Sequence, residues 1–292
     1  MLILPLILLM LCLLLRADVT MAAASAACHL FVTAVLPGLF PYMVLSLMLV
    51  SRVKRPSPRM VLLLGWGGGS PTGAQLLPMC TELSRREQVR LAVSCATMSP
   101  MFLLGTLGGW LESPLAGCVI LGSVVAGGWA AGALAGWAAG RAAIGRPSAR
   151  RADRRASSGR GDDHPAARTP LPFGAVVEHS ARTMLLVCGT MVMLRVFAAL
   201  AVELLPLPLR LPVTTILEVT TGAAEIAGLP LPLPGRTALL AGAAGFGGMA
   251  ILLQNRAVYS RGFLSLQQQF LWQVLHGGIS FLLALGLMQM VC

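Results

Sequence analysis

Long apolar runs cut by short, polar, glycine-rich breaks constrain this chain more than any other feature. One break is Gly67-Gly68-Gly69-Ser70-Pro71-Thr72-Gly73 and another is Glu218-Val219-Thr220-Thr221-Gly222. Each is followed by a second interrupted run, at Thr97-Met98-Ser99-Pro100 and at Gly245-Phe246-Gly247-Gly248. Ser70 to Ser99 is 29 residues and Thr221 to Gly248 is 27, so the two halves have nearly the same spacing. Irregular backbone at membrane depth is tolerated only where protein or a water-filled cavity covers it. Breaks at matching positions in two halves therefore point to a site built from half-helices, as in a carrier.

Composition supports a membrane reading. The 292 residues are 56% hydrophobic and 11% charged, with a mean hydropathy of +0.79. Soluble domains carry about 25% charged residues. The length would allow two soluble domains, but the long apolar runs indicate one polytopic helical unit in a lipid bilayer. The runs are continuous rather than alternating, which argues against a β-barrel. The net charge is +11, and 21 of the 22 basic residues are Arg. This charge sits between apolar runs, where the positive-inside rule accounts for it, so no nucleic-acid partner is expected. The seven cysteines are scattered without a C-x-x-C pair. No disulfide framework, metal site or cofactor is expected from them.

The spacing predicts spans over 1–15, 20–50, 89–111, 115–140, 173–205, 237–259 and 266–290, with a kink in the second at Pro37 and Pro41. The runs 60–80 and 213–229 are each cut in the middle, and arms of about ten residues are too short to cross singly. Each is expected to be a re-entrant helical hairpin. Pro206, Pro208 and Pro212 are expected to bracket a loop. If neither hairpin crosses, the basic clusters at 52–59, 85–90, 141–168 and 256–261 all fall on the cytoplasmic side. The predicted architecture is all-α, with seven spans and two hairpins in an inverted repeat. Its parts are N-terminal spans over 1–50, a first repeat over 60–140, a basic cytoplasmic linker over 141–172, a connecting span over 173–205 and a second repeat over 213–292. The linker holds eight arginines and three aspartates, and its composition is that of a disordered segment.

Four breaks imply a shared polar interior. Ser70-Pro71 and Ser99-Pro100 each suggest Ser at the N-cap and Pro at the first helical position, and Thr220, Thr221 and Gly222 are expected to do similar work. Helix starts offer free N–H groups and a positive dipole end, which favours an anion. The candidate binding residues are Gly69, Ser70, Thr72, Gly73, Thr97, Ser99, Glu218, Thr220, Thr221, Gly222, Gly247, Gly248 and Gln254. Glu218 is expensive at that depth; it either serves a ligand or proton, or caps the backbone of its own tip. Arg195 is a candidate charge partner for Glu203, Glu218 or the substrate. His29 and His276 read as helix-packing residues. No metal-protease, P-loop or nucleophile-elbow signature appears, so an enzyme is not expected.

At five places the chain resembles a known family. They are Leu36-Pro37-Gly38-Leu39-Phe40-Pro41, Gly69-Ser70-Pro71-Thr72-Gly73-Ala74-Gln75, Ser99-Pro100-Met101-Phe102, Leu217-Glu218-Val219-Thr220-Thr221-Gly222 and Gly245-Phe246-Gly247-Gly248. Together they look like the sporulation integral membrane protein of the YlbJ type, which carries the nucleoside-recognition (Gate) domain. The resemblance implies a multi-pass cell-membrane protein of a spore former that moves dipicolinate from the mother cell towards the forespore. It also implies an architecture like that of concentrative nucleoside transporters. The expectation is a secondary transporter of a small anionic metabolite, dipicolinate, with a second copy of the chain or other sporulation membrane proteins as candidate partners. A non-transporting scaffold for spore cortex assembly and a nucleoside transporter stand as alternatives.

Overall fold

The computed structural model describes residues 3–53, 56–80, 83–144, 171–259 and 263–291, and every regular element among them is helical. Most of the arginine-rich linker lies outside the described residues. Among the described residues five helices are long and apolar enough to cross a membrane: Ala17–Arg52, Pro114–Ala142, Phe173–Glu203, Leu233–Val258 and Leu266–Val291. The two other expected spans are different. Ile3–Leu15 has 13 residues, none of them buried, fewer than the ~20 a crossing needs. The run expected over 89–111 consists of Arg85–Ser94 and a second helical piece over 100–110, separated by a break.

Local sequence explains these boundaries. Ser84 and Glu87 form a capping box that starts the Arg85–Ser94 helix four residues before the expected span. Each side chain satisfies a backbone N–H that the first turn leaves without a partner. The helix through Pro37 and Pro41 is not interrupted; it carries a π-turn over Phe31–Val35 just before them. A proline ring clashes with the carbonyl four residues back, which for Pro37 is Thr33. The wider turn lies at that residue and gives the ring room. The stretch expected to be a proline loop is helical from Leu207 to Leu217, with Pro212 inside it. Pro212 costs one bond, to the carbonyl of Pro208 near the open start of the helix, where few bonds exist to be lost.

Each half of the chain repeats one order of elements. Pro58–Gly68 and Thr72–Leu76 form a pair of short arms, followed by the broken Arg85–Trp110 run and the Pro114–Ile144 helix. Leu207–Leu217 and Val219–Ala227 form a second pair of short arms, followed by Leu233–Phe246, Gly248–Val258 and Leu266–Val291. In both halves the first piece of the broken run packs on the helix that follows it. Apolar contact between helices gains little in lipid, so close packing of small residues does the holding. Gly128, Gly132 and Gly136 face the Arg85–Ser94 helix, and a methyl on Gly132 would lie 2.0 Å from Ser94 Oγ. Large apolar side chains such as Leu45, Leu185 and Leu282 are exposed on the outside of the helices.

Arg85 donates to the carbonyl of Phe263, Arg256 donates to that of Leu264, and Arg86 lies against Gly136 and Gly140. Arg16 pairs with Glu203.

Candidate functional site

The two pairs of short arms and both broken runs meet around one cavity. Ser70 comes from the first tip, Met98 and Ser99 from the first break, and Glu218, Val219 and Thr220 from the second tip. Ala250, Ile251 and Gln254 come from the helix beyond the second break. Val35, Leu39, Phe102, Val187 and Met191 complete the wall. The volume is about 40 Å³, room for on the order of two or three waters. A ring-bearing metabolite therefore requires the tips to separate. The lining joins apolar side chains, one aromatic ring and a few polar groups, the usual make-up of a small-molecule site.

Backbone contact holds each tip against the break in its own half. Gly69 has φ +64°, a conformation glycine adopts without a Cβ penalty. A methyl there would lie 2.5 Å from the Ser99 amide nitrogen. The next amide, of Ser70, donates to Thr97 O at 2.6 Å. In the second half Gly247 ends its helix in the left-handed region with φ +73°. A methyl on Gly248 would sit 3.1 Å from Ile216 O and 3.2 Å from Thr215 O. The first tip also reaches across to the other half, where the Ser70 hydroxyl donates to Asn255 Oδ1.

The capping chemistry differs from the expectation at two of the breaks. Ser99 behaves as expected: its Oγ accepts from Phe102 N at 3.3 Å, with Pro100 next in the chain. Ser70 does not cap. The helix begins at Thr72 with Pro71 in the cap position and no side-chain cap bond, and the Ser70 hydroxyl instead donates to Asn255. At the second tip Glu218 is the cap. Its Oε1 accepts from Thr220 N at 3.0 Å and its Oε2 from Thr221 N at 2.7 Å. The N–H groups expected to be free for an anion are thus held by a carboxylate. Glu218 is 1% exposed and still borders the cavity with its remaining acceptor capacity.

The expected residues therefore divide into three groups. Ser70, Ser99, Glu218, Thr220 and Gln254 line the cavity. Gly69, Thr97, Gly247 and Gly248 form the tip-to-break junctions. Thr72, Gly73, Thr221 and Gly222 lie within the arms. Thr72 Oγ1 donates to Gly68 O, Gly73 faces Cys95, and Gly222 lets its arm approach Thr215. Arg195 pairs with Glu225 at 3.5 Å, not with Glu203 or Glu218. That pair is partly exposed, and such pairs contribute at most ~1 kcal/mol. The apolar wall from Val35, Leu39, Val187 and Met191 was not read from sequence, because nothing separates these side chains from lipid-facing ones. No family model, no curated protein and no solved structure matches the chain. The fold itself defines the coarse class: an all-helical protein with several helices suited to cross a membrane.

Proposed function

We propose that the protein is a secondary carrier in the cell membrane. The two short-armed hairpins would be re-entrant, enter from opposite sides, and alternately expose the cavity between their tips. The observation that carries this reading is the convergence of both tips and both broken runs on one small cavity, apolar in most of its wall and polar at Ser70, Ser99, Glu218, Thr220 and Gln254. A structural kink needs no such meeting point. The tips are joined to the breaks by backbone contacts, so each half is built to move as a block while Ser70 and Asn255 link the halves. Rocking of one repeat against the other then alternates access.

The cargo proposed is a small metabolite with a flat ring and polar edges. The resemblance to the sporulation family makes it dipicolinate, with Phe102 against the ring and Ser70, Ser99 and Gln254 on the carboxylates. Glu218 supports a second reading. A carboxylate at the cavity, with no Lys or Arg among the lining residues, favours a ligand that donates hydrogen bonds, such as a nucleoside with its hydroxyl groups. A dicarboxylate would have to enter with a compensating positive charge.

The test is thermal unfolding of the purified protein against a panel of dicarboxylates and nucleosides. A ligand that binds only the folded state must raise the apparent stability, by about 2.7 kcal/mol at one hundred times its Kd. Stabilisation by dipicolinate supports the first reading and stabilisation by uridine or adenosine the second. A flat response to the whole panel contradicts both.

A further inference from the structure

A second cavity of about 20 Å³ lies beside the first, bordered by Ala92, Asn255, Tyr259, Gln269, Gln273 and His276 among others. It has room for about one water. The Leu266–Val291 helix places Gln269, Gln273, His276 and Ser280 at i, i+4, i+7 and i+11, and all four are buried. That spacing is one helical face, running inward from the end where Arg85 and Arg256 hold the 263–264 carbonyls. A buried polar face with an ionisable residue inside a membrane helix is costly and marks a functional pathway.

Hydrogen bonding fixes what this cavity can accept. His276 Nε2 lies 2.9 Å from Val124 O. A carbonyl only accepts, so Nε2 carries the hydrogen and Nδ1 of the neutral ring presents a lone pair. That Nδ1 has no partner, and neither does Gln273 Oε1. Two acceptors on one small cavity call for a donor. We propose that the cavity is a proton site. A hydronium ion reaching it along the glutamine face gives its proton to His276 Nδ1 and leaves as water. The new N–H donates to Gln273 Oε1, and release reverses the step.

The surroundings tie this proton to the central cavity. Asn255 borders the second cavity, while Ser70, which donates to it, borders the first. The titratable group facing His276 across the second cavity is Tyr259, with Cys95 behind it. The Pro114–Ile144 helix meets this face with Val124, Gly127 and Gly128, and the Leu233–Phe246 helix with Gly242 and Gly245. Among the residues bordering the second cavity none is acidic. A charge there needs a partner, and the negative charge on the neighbouring cavity is Glu218 or an anion bound there. Protonation of His276 and occupancy by an anion then favour each other. That coupling rests on the carrier reading; the proton site itself rests on its own geometry.

The experiment uses full-length protein in lipid nanodiscs with His29, His164 and His179 replaced by Gln, leaving His276 as the single ¹⁵N-labelled histidine. The expected result is an Nε2–H tautomer at about pH 8 and protonation of Nδ1 on acidification below about pH 5. Saturating dipicolinate should raise the midpoint by roughly one pH unit, a tenfold coupling. An imidazole signal unchanged across this range, with and without dipicolinate, overturns the proposal. A second measurement keeps the two readings apart. If His276 titrates in a protein that transports neither dipicolinate nor uridine, the proton site stands and the carrier reading falls. If the protein transports either compound while His276 stays silent, the carrier stands and the proton site falls.

Discussion

Glu218 shows how one side chain can hold a fold and face a site together. Both its oxygens accept tip amides, so its removal leaves one buried and one partly buried N–H group without a partner, a loss of ~1–3 kcal/mol for the buried one. Glu218→Ala should therefore lower stability by about 2 kcal/mol or more. Thr221→Ala, at a residue that contributes only its amide to this cap, should stay within about 0.5 kcal/mol. Chemical unfolding of both variants in detergent checks the pair, and a Glu218→Ala protein as stable as the parent contradicts the capping role. At this scale the sequence was partly legible. Ser99-Pro100 reads as a cap and is one. Ser70-Pro71 looks identical in sequence, yet its hydroxyl bonds Asn255, 185 residues away. A local rule holds where the nearest partner is local and fails where tertiary contact supplies a better one. His276 was passed over as isolated, although the 269, 273, 276 and 280 spacing was present in the chain.

Among the elements, the glycine-rich breaks were readable because backbone that leaves a helix inside lipid needs small residues and caps. The boundaries were less so. Prolines at 208 and 212 suggested a loop, while the structure places them where a helix has few bonds to lose. The arms on either side of the first tip are too short to cross singly, and the re-entrant course proposed for them has a direct consequence. Single cysteines at Arg59 and Arg86, in a cysteine-free background, should react with a membrane-impermeant maleimide from the same side. Cysteines at Arg210 and Leu231 should both react from the other side. Labelling of positions 59 and 86 from opposite sides would show that the first pair of arms crosses.

In the whole molecule, two sets of elements in the same order enclose one small cavity. The class of fold followed from hydropathy and the breaks. The cargo did not, since a cavity of about 40 Å³ bears the imprint of its polar groups and not the shape of a guest. Glu218 shifts that question, because a dianion beside it needs an added positive charge and a nucleoside does not. The central claim, that the two tips form a passage for a small polar ring-bearing metabolite, meets its most direct test in flux. Proteoliposomes carrying the purified protein should take up labelled dipicolinate or uridine saturably, with each label competed by its own unlabelled form. Uptake of both compounds no greater than in protein-free vesicles, under every imposed proton and sodium gradient, would contradict it.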